Sequence, residues 1–227
     1  MKLSLAPLIG DARGTTGSLT VFLSRAGLLA RLNLAPGQIP TPAQLLQRGS
    51  LATISALWKT PAMAAYRLAW INLAATLPYV DVFAVTRLWT GSQLFAKFNR
   101  NLATLGLSSI LPAPASVACS APGLLTLTHN IGPPETFVVT PTNNPAAGEA
   151  VVIRSSKFLS PGITSLGNNL TIATTLPAGT AGPWDITTAF FAKHKTRPTG
   201  QQLFVHVNYV QTSTGFAGQE SIDTMLW

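Results

Sequence analysis

Charged and catalytic side chains are scarce in this sequence. Only 10% of its 227 residues are charged, whereas ordinary globular proteins contain about 25%, and 47% are hydrophobic. The chain has seven acidic residues, three histidines and one cysteine. This set excludes a disulfide framework and argues against a metal cage or a thiol relay, and we expect no cofactor. The high apolar content excludes disorder as the main state.

Long apolar runs are also missing. A membrane-spanning helix needs about 20 consecutive apolar residues. The best candidate, residues 68–80, is 13 residues long and contains Pro78. The first residues are interrupted by Pro7 and followed by Asp11, which is unlike a signal peptide. We therefore expect neither a membrane span nor a secretory leader.

The few charges are unevenly distributed. Residues 1–100 contain ten basic and two acidic side chains, a net charge of +8, whereas residues 101–227 contain five of each. This asymmetry predicts that the first half contacts an anionic partner, either nucleic acid or the acidic surface of another protein. Basic residues with few acidic neighbours in the sequence are candidates for that contact: Arg25, Arg31, Arg48, Lys97 and Arg100.

A β-hairpin is predicted near the N-terminus. Two runs rich in branched and aromatic residues, 18–25 and 28–33, are separated by Ala26-Gly27, which we expect to form the turn. Neighbouring residues of a strand point to opposite faces, so Val21, Phe22 and Leu23 place apolar side chains on both faces of the hairpin. One face can cover the protein's own helices. The other needs a partner chain, which makes these three residues candidates for an assembly contact.

Three helices are predicted to follow, each beginning at a threonine. Thr41 and Thr90 stand three residues before a glutamine, as in a capping box, and Thr60 precedes a proline. The first helix should end near Lys59, and the second near Pro78. Residues expected to be buried are Leu45, Ala52 and Trp58 in the first helix, Met63, Tyr66, Trp70 and Leu73 in the second, and Leu94, Phe95, Phe98 and Leu102 in the third. This hairpin and three-helix domain is assigned to residues 1–106.

The remaining sequence has the pattern of a β-sandwich. Residues 107–116 include Pro112 and Pro114 and predict a semi-rigid linker. Seven strand-like runs separated by turn sequences then predict an antiparallel sandwich over residues 117–227, and the fold class is therefore α+β. The runs are 117–120, 124–129, 136–140, 150–155, 170–175, 203–211 and 216–226.

Potentially catalytic residues are scattered. His129, His194 and His206 have no carboxylate or cysteine at ligand spacing, and we interpret them as surface histidines. Cys119 lies in a predicted strand and is interpreted as a small buried residue. The acidic residues of the second half are isolated and mostly next to turn residues, so we interpret them as solvated carboxylates of loops. From these residues we expect neither enzymatic activity nor a small-molecule substrate.

Several motifs of the first half resemble one family. They are T-P-A-Q-x-x-x-R from Thr41 to Arg48, Trp58, Arg67 with Trp70, and T-G-x-Q-L-F-x-x-x-N-x-N-L from Thr90 to Leu102. Together with the hairpin, they resemble a family of small basic proteins encoded by tailed bacteriophages and prophage-like regions. The resemblance implies a virion component in which a Pro-rich link leads to an immunoglobulin-like or fibronectin-like domain.

Three functional hypotheses remain open from the sequence. The first is a structural protein of a bacteriophage virion, capsid-associated or tail-associated, whose partners are other phage structural proteins and copies of itself. Its basic domain would dock on the particle, and its neutral sandwich would be displayed or packed against neighbours. The second is a nucleic-acid-binding protein that uses the basic half. The third, a carbohydrate-active enzyme or lectin, ranks last because no acid pair is visible.

Overall fold

The computed structural model describes residues 2–4, 14–16, 19–24, 27–32, 42–80, 84–163, 170–194 and 200–227. These residues confirm the predicted α+β class, with helices and several antiparallel sheets. The chain forms two compact units, Met1–Leu46 and Gln47–Trp227. The division falls inside the first helix.

The first unit contains a four-stranded antiparallel sheet rather than a hairpin alone. Its strands are β1 (Lys2–Ser4), β2 (Gly14–Thr16), β3 (Leu19–Ser24) and β4 (Gly27–Leu32), in the order β1-β4-β3-β2. The predicted hairpin is β3–β4, but Ser24 pairs with Gly27, so the connection lies one residue earlier than predicted. The outer strands are three residues long, which is too short to show an alternating pattern.

Three helices open the second part of the chain. They are α1 (Pro42–Lys59), α2 (Arg67–Thr76) and α3 (Gly91–Thr104). The predicted capping box of α3 is confirmed, because the Gln93 amide donates to the Thr90 hydroxyl and the Gln93 side chain accepts from the Thr90 amide. Thr41 lies outside the described residues. The predicted second helix does not begin at Thr60. The Thr60 hydroxyl donates to the carbonyl of Leu57 instead of capping this helix, and a 3-10 turn follows at Pro61–Met63. The helix α2 then begins at Arg67.

A small aromatic core holds the helices together. Trp70 is fully buried and lies edge-on to Phe95 and Phe98, with ring centroids 5.4 and 5.5 Å apart. The buried side chain that α1 contributes is Ile54, with Leu57 and Trp58 partly buried beside it. The predicted burial of Leu45, Ala52 and Tyr66 is wrong, because all three are exposed. Ala52 lies two residues from Ile54, and residues two apart on a helix point to nearly opposite sides.

The Pro-rich segment 107–116 is held against the helices. The fully buried Asn99 of α3 accepts a hydrogen bond from the Ile110 amide (2.7 Å) and donates to the Ile110 carbonyl (3.3 Å). The Trp70 indole donates to the carbonyl of Leu111 (2.8 Å). These bonds satisfy buried polar groups on both sides and make the segment part of the helical core.

A short hairpin connects α2 to α3, and a sandwich follows. The hairpin is β5 (Pro78–Val80) with β6 (Thr86–Leu88). The sandwich contains β7 (Leu125–Asn130), β8 (Thr136–Pro141), β9 (Glu149–Ser155), β10 (Thr171–Leu176), β11 (Trp184–Asp185), β12 (Gln202–Gln211) and β13 (Ser221–Leu226), with the helix α4 (Thr187–Lys193) after β11. Six of the seven predicted strands are confirmed. Residues 117–120 form no strand, and β11 was not predicted.

The two sheets of the sandwich have the orders β10-β9-β12-β13 and β11-β8-β7. Their facing side chains form one core, in which Val139 of β8 and Trp184 of β11 meet Ile153 of β9 and Val207 of β12. The fourth strand pairs with the third, not with the fifth, which distinguishes this sandwich from a constant-type immunoglobulin domain. The predicted antiparallel β-sandwich is thereby confirmed, with four strands in one sheet and three in the other.

The loop between β12 and β13 contacts α3 within the second unit. Asn101 of α3 donates to the carbonyl of Gly215 (2.8 Å), and Phe216 lies edge-on to Phe98 at 5.7 Å. Gly215 has a φ of +75°, and a Cβ atom there would overlap the carbonyl oxygen of Phe98. Glycine is therefore required both by the backbone conformation and by the close approach of α3.

Replacing Gly215 with alanine should destabilise the second unit. The strained backbone and the clash with α3 predict a loss of at least about 2 kcal/mol in the free energy of unfolding, measured by urea denaturation. Gly49→Ala is the matched control, because a Cβ at this position of α1 meets nothing within 4 Å. That change should stabilise the helix by about 0.5–1 kcal/mol. Equal stability of the two variants would contradict the described contact.

Truncating Phe98 should remove the contacts of this ring with both the helical core and the loop between β12 and β13. We expect Phe98→Ala to cost about 3–5 kcal/mol, because it leaves a cavity between Trp70 and Phe216. Leu68→Ala is the control, since Leu68 is 67% exposed on α2 and should change stability by less than about 0.5 kcal/mol. Denaturation followed by tryptophan fluorescence measures both. A loss of under about 1 kcal/mol for Phe98→Ala would show that this ring is not part of the core.

Candidate assembly surface and buried polar sites

The predicted apolar contact residues lie on an inner strand of the first sheet. Val21, Phe22 and Leu23 belong to β3, between β4 and β2. Arg31 lies on β4, where its Cα is paired with those of Thr20 and Lys2. Arg25 lies outside the described residues. Because β3 has neighbours on both sides, a partner would reach these residues through a face of the sheet and not by adding a strand beside β3.

The remaining predicted cations lie on the helices. Arg48 is exposed on α1, and Lys97 and Arg100 are exposed one turn apart on α3. The Lys97 ammonium lies 4.7 Å from the centre of the Trp89 ring. Although the residue as a whole is exposed, partial burial of its ammonium lowers the pKa of Lys97. The structure therefore brings Lys97 and Arg100 together, while Lys97 already interacts with an aromatic face of its own chain.

Arg67 has a structural contact. Its guanidinium donates to the carbonyl of Trp58 at 3.0 and 3.2 Å and to that of Thr60 at 3.3 Å. Carbonyls at the end of a helix lack partners within the helix and carry partial negative charge. Arg67 therefore caps the C-terminal end of α1.

A groove that the sequence did not predict runs between α1 and α3. It has a volume of about 350 Å³. It is lined by Ile54, Ser55, Trp58 and Lys59 of α1 and by Ser92, Gln93, Phe95 and Ala96 of α3, of which Ile54 and Phe95 are almost completely buried. Trp58 and Phe95 are in ring contact, with centroids 5.3 Å apart. Trp58 was expected to be core, and its partial burial is what leaves the indole available to line the groove.

Apolar side chains are also exposed around the helices. In the second unit, Leu68 is 67% exposed and Leu51 is 46% exposed. Further examples on α2 and the β5–β6 hairpin are Ile71, Val80 and Leu88. Single exposed leucines are ordinary, but several in one small helical region are typical of surfaces that contact another molecule.

All three histidines are nearly buried or bonded to other groups, so their interpretation as surface residues is wrong. His206 is 5% exposed, and its Nδ1 lies 3.1 Å from Glu220. His129 contacts Glu135 at 3.0 Å and stacks on Trp227 at 3.8 Å between ring centroids. Both residues hold neighbouring segments of the sandwich in place.

Ser155 and His194 form a pair that resembles part of a hydrolytic site. The Ser155 hydroxyl lies 2.8 Å from His194 Nε2, and burial together with Lys193 lowers the pKa of His194. A nucleophile must reach its substrate, but Ser155 is fully buried at the end of β9. The hydrogen bond therefore anchors the end of α4 to β9.

Glu149 is buried, with 5% of its surface exposed, so its interpretation as a solvated loop carboxylate is wrong. It accepts hydrogen bonds from the amide of Ser120 (2.7 Å), the amide of Ala146 (2.9 Å) and the Ser120 hydroxyl. Burial alone would raise the pKa of Glu149, but these hydrogen bonds outweigh it and hold the pKa below its ordinary value of 4.5. Burial and the charge of Glu149 raise the pKa of the adjacent Cys119 to about 12, so this thiol is not activated.

No known protein family, curated protein or solved structure matches the chain. None of the described helices is long and apolar enough to cross a membrane. Within the same described ranges, no three His, Cys, Asp or Glu side chains come together as metal ligands would.

Replacing Glu149 with glutamine should make stability less dependent on pH. The lowered pKa means that the carboxylate stabilises the fold above pH 4.5 and that this contribution is lost as the pH falls through the pKa of the folded state. At pH 7 the change should cost about 1–3 kcal/mol, because glutamine cannot accept all three hydrogen bonds. The difference from the wild type should shrink between pH 5 and pH 3, measured by denaturation at each pH.

The matched control for this pH series is Asp223→Asn. Asp223 lies on the outer strand β13 and its carboxylate accepts a hydrogen bond from the neighbouring Thr224 amide. The control removes one negative charge without removing a buried acceptor. A difference between Glu149→Gln and wild type that stays constant from pH 7 to pH 3 would contradict the assignment.

Proposed function

We propose that the chain is a structural component of a bacteriophage virion. The observation that carries this proposal is the surface of the helices, where exposed leucines stand beside exposed cations. The described residues of α1, α2 and α3 include no acidic side chain, whereas Arg48, Lys59 and Arg100 are exposed on them. A surface that is both apolar and of one charge suits a lasting contact with a complementary protein.

The motifs shared with the phage family support the same proposal. Thr90 and Gln93 form the helix cap, Phe95 and Phe98 form the aromatic core, and Arg67 caps α1. These shared residues thus specify a helical platform and not a reactive centre. In the described part of the chain, the polar clusters are buried and hold segments together, which supports a role in assembly over catalysis.

The two halves have separate roles in this proposal. The basic half docks on the capsid or tail and on copies of the chain. The neutral sandwich, which closes its own core between two sheets, is displayed or packs against neighbours. Mass spectrometry of purified particles tests the proposal directly, and absence of the chain from particles would overturn it.

Nucleic-acid binding is the second candidate, because the excess of cations over acids on the helices also suits phosphate. Its signature is a steep and linear fall of log affinity with log salt. If the first proposal holds, DNA binding by the full chain should be weak at physiological salt, measured by fluorescence anisotropy with a labelled duplex. Tight DNA binding at that salt concentration would favour this second function.

Substitutions on β3 test the docking surface. We expect either Phe22→Asp or Val21→Asp combined with Leu23→Asp to leave a folded protein that no longer incorporates into particles, because a charge on the apolar face opposes docking. Incorporation is measured by mass spectrometry, and folding by circular dichroism. The control is Ile222→Asp, which changes an apolar side chain of β13 that is 54% exposed. Normal incorporation of both β3 variants would show that this strand is not the docking surface.

A further inference from the structure

The helix α2 is apolar on two sides. Trp70 and Ala74 are buried on its inner side, where they belong to the aromatic core. On the other side, Leu68 is 67% exposed and Ile71 is 52% exposed. A surface helix ordinarily carries polar or charged side chains away from its core, and a helix that is apolar all round is usually buried. The outer side of α2 therefore has the composition of a contact surface.

Four exposed side chains of α2 are spaced like those that join two paired helices. After the first of them, the others follow at positions i+3, i+4 and i+7, which places all four in one stripe along the helix. We call this set the outer stripe: Leu68, Ile71, Asn72 and Ala75. Its polar member, Asn72, carries a neutral amide and lies next to the middle of the stripe.

The outer stripe is neutral in a strongly basic region. Arg67 is the charged residue of α2, and its guanidinium already binds carbonyls at the end of α1. Exposed cations lie on the neighbouring helices, at Arg48, Lys59 and Arg100. Nucleic acid or an acidic protein would be attracted by those cations and not by the stripe. A second copy of the chain is repelled by the same cations, so it can approach closely only where charge is absent, as it is on the stripe.

The stripe is complementary to itself. If two copies of α2 pack antiparallel about a two-fold axis between Ile71 and Asn72, Leu68 of each copy faces Ala75 of the other. A large side chain then meets a small one, which lets the two helices approach closely. The Asn72 amide has both donors and an acceptor, so it can form a hydrogen bond with Asn72 of the second copy near the axis. A polar residue at such a position fixes the register of paired helices.

We propose that α2 is the contact between two copies of the chain, which pair antiparallel through the outer stripe. The helix has 10 residues and is therefore about 15 Å long, so the contact is small and the dimer is weak in solution. The inference rests on the proposed function and deepens it, because it assigns the contact between copies to α2 and leaves the exposed cations to other virion proteins.

The test measures the mass of the full chain by sedimentation velocity at protein concentrations from about 1 to about 200 μM. Two variants, Asn72→Lys and Asn72→Glu, place like charges next to the proposed axis at an exposed position. The matched control is Thr126→Lys, which adds the same charge at an exposed position of β7. Circular dichroism checks that each variant is folded.

We expect the wild type to dimerise with a Kd of about 10–100 μM, as suits a small contact. Each Asn72 variant alone should dimerise at least about tenfold more weakly, because two like charges meet near the axis. An equal mixture of Asn72→Lys and Asn72→Glu should recover the dimer, since opposite charges then face each other. The control should change the Kd by less than about threefold.

Three results would overturn the inference. A wild type that stays monomeric at the highest concentration would show that a second copy does not cover the stripe. If this monomer sediments with vesicles of phosphatidylcholine and phosphatidylglycerol, and Leu68→Ala weakens that binding, the stripe belongs to a lipid surface instead. A dimer that both Asn72 variants leave intact would place the contact elsewhere, and failure of the mixture to recover the dimer would exclude the two-fold arrangement.

These results are separable from the proposed virion role. Dimerisation is measured on purified protein, whereas incorporation is measured on particles. If the chain is absent from particles and the outer stripe still joins two copies, the virion role fails and the dimer contact stands. If the chain is present in particles and the purified protein is monomeric, the virion role stands and the dimer contact fails.

Discussion

The packing of Phe98 between Trp70 and Phe216 is the contact on which the second unit depends. On one side the ring completes the aromatic core of the helices, and on the other it receives the loop between β12 and β13. Gly215 allows this loop to reach α3, because no other residue adopts its backbone conformation without strain at so short a distance. The position of α3 then determines the groove, since four of the groove's lining residues belong to α3.

The scarcity of charge shapes how the chain uses its polar residues. Asn99, Ser155 and Glu149 are all buried, and each satisfies a neighbouring backbone or side-chain group. Leaving a buried polar group without a partner costs more free energy than a typical hydrogen bond contributes. These side chains therefore stabilise the fold because each bonds to a neighbouring segment. This explains why a serine–histidine pair and a buried carboxylate occur here without forming a reactive site. Their partners are the chain's own irregular segments.

The sequence was sufficient to predict the features that depend on local chemistry. The capping box of Thr90 and Gln93 and the stripe of α3 follow from neighbouring residues, as do the six confirmed strands of the sandwich. What could not be predicted depends on contacts between distant residues. The face that α1 buries is chosen by Trp70 and Phe95, so Leu45 could not be recognised as exposed from its own helix. The burial of Asn99 was not predicted, because its partner Ile110 lies in a separate segment, and this bond holds the Pro-rich segment against α3. The groove forms only where α1 and α3 lie next to each other, and a local sequence pattern cannot predict which helices are neighbours.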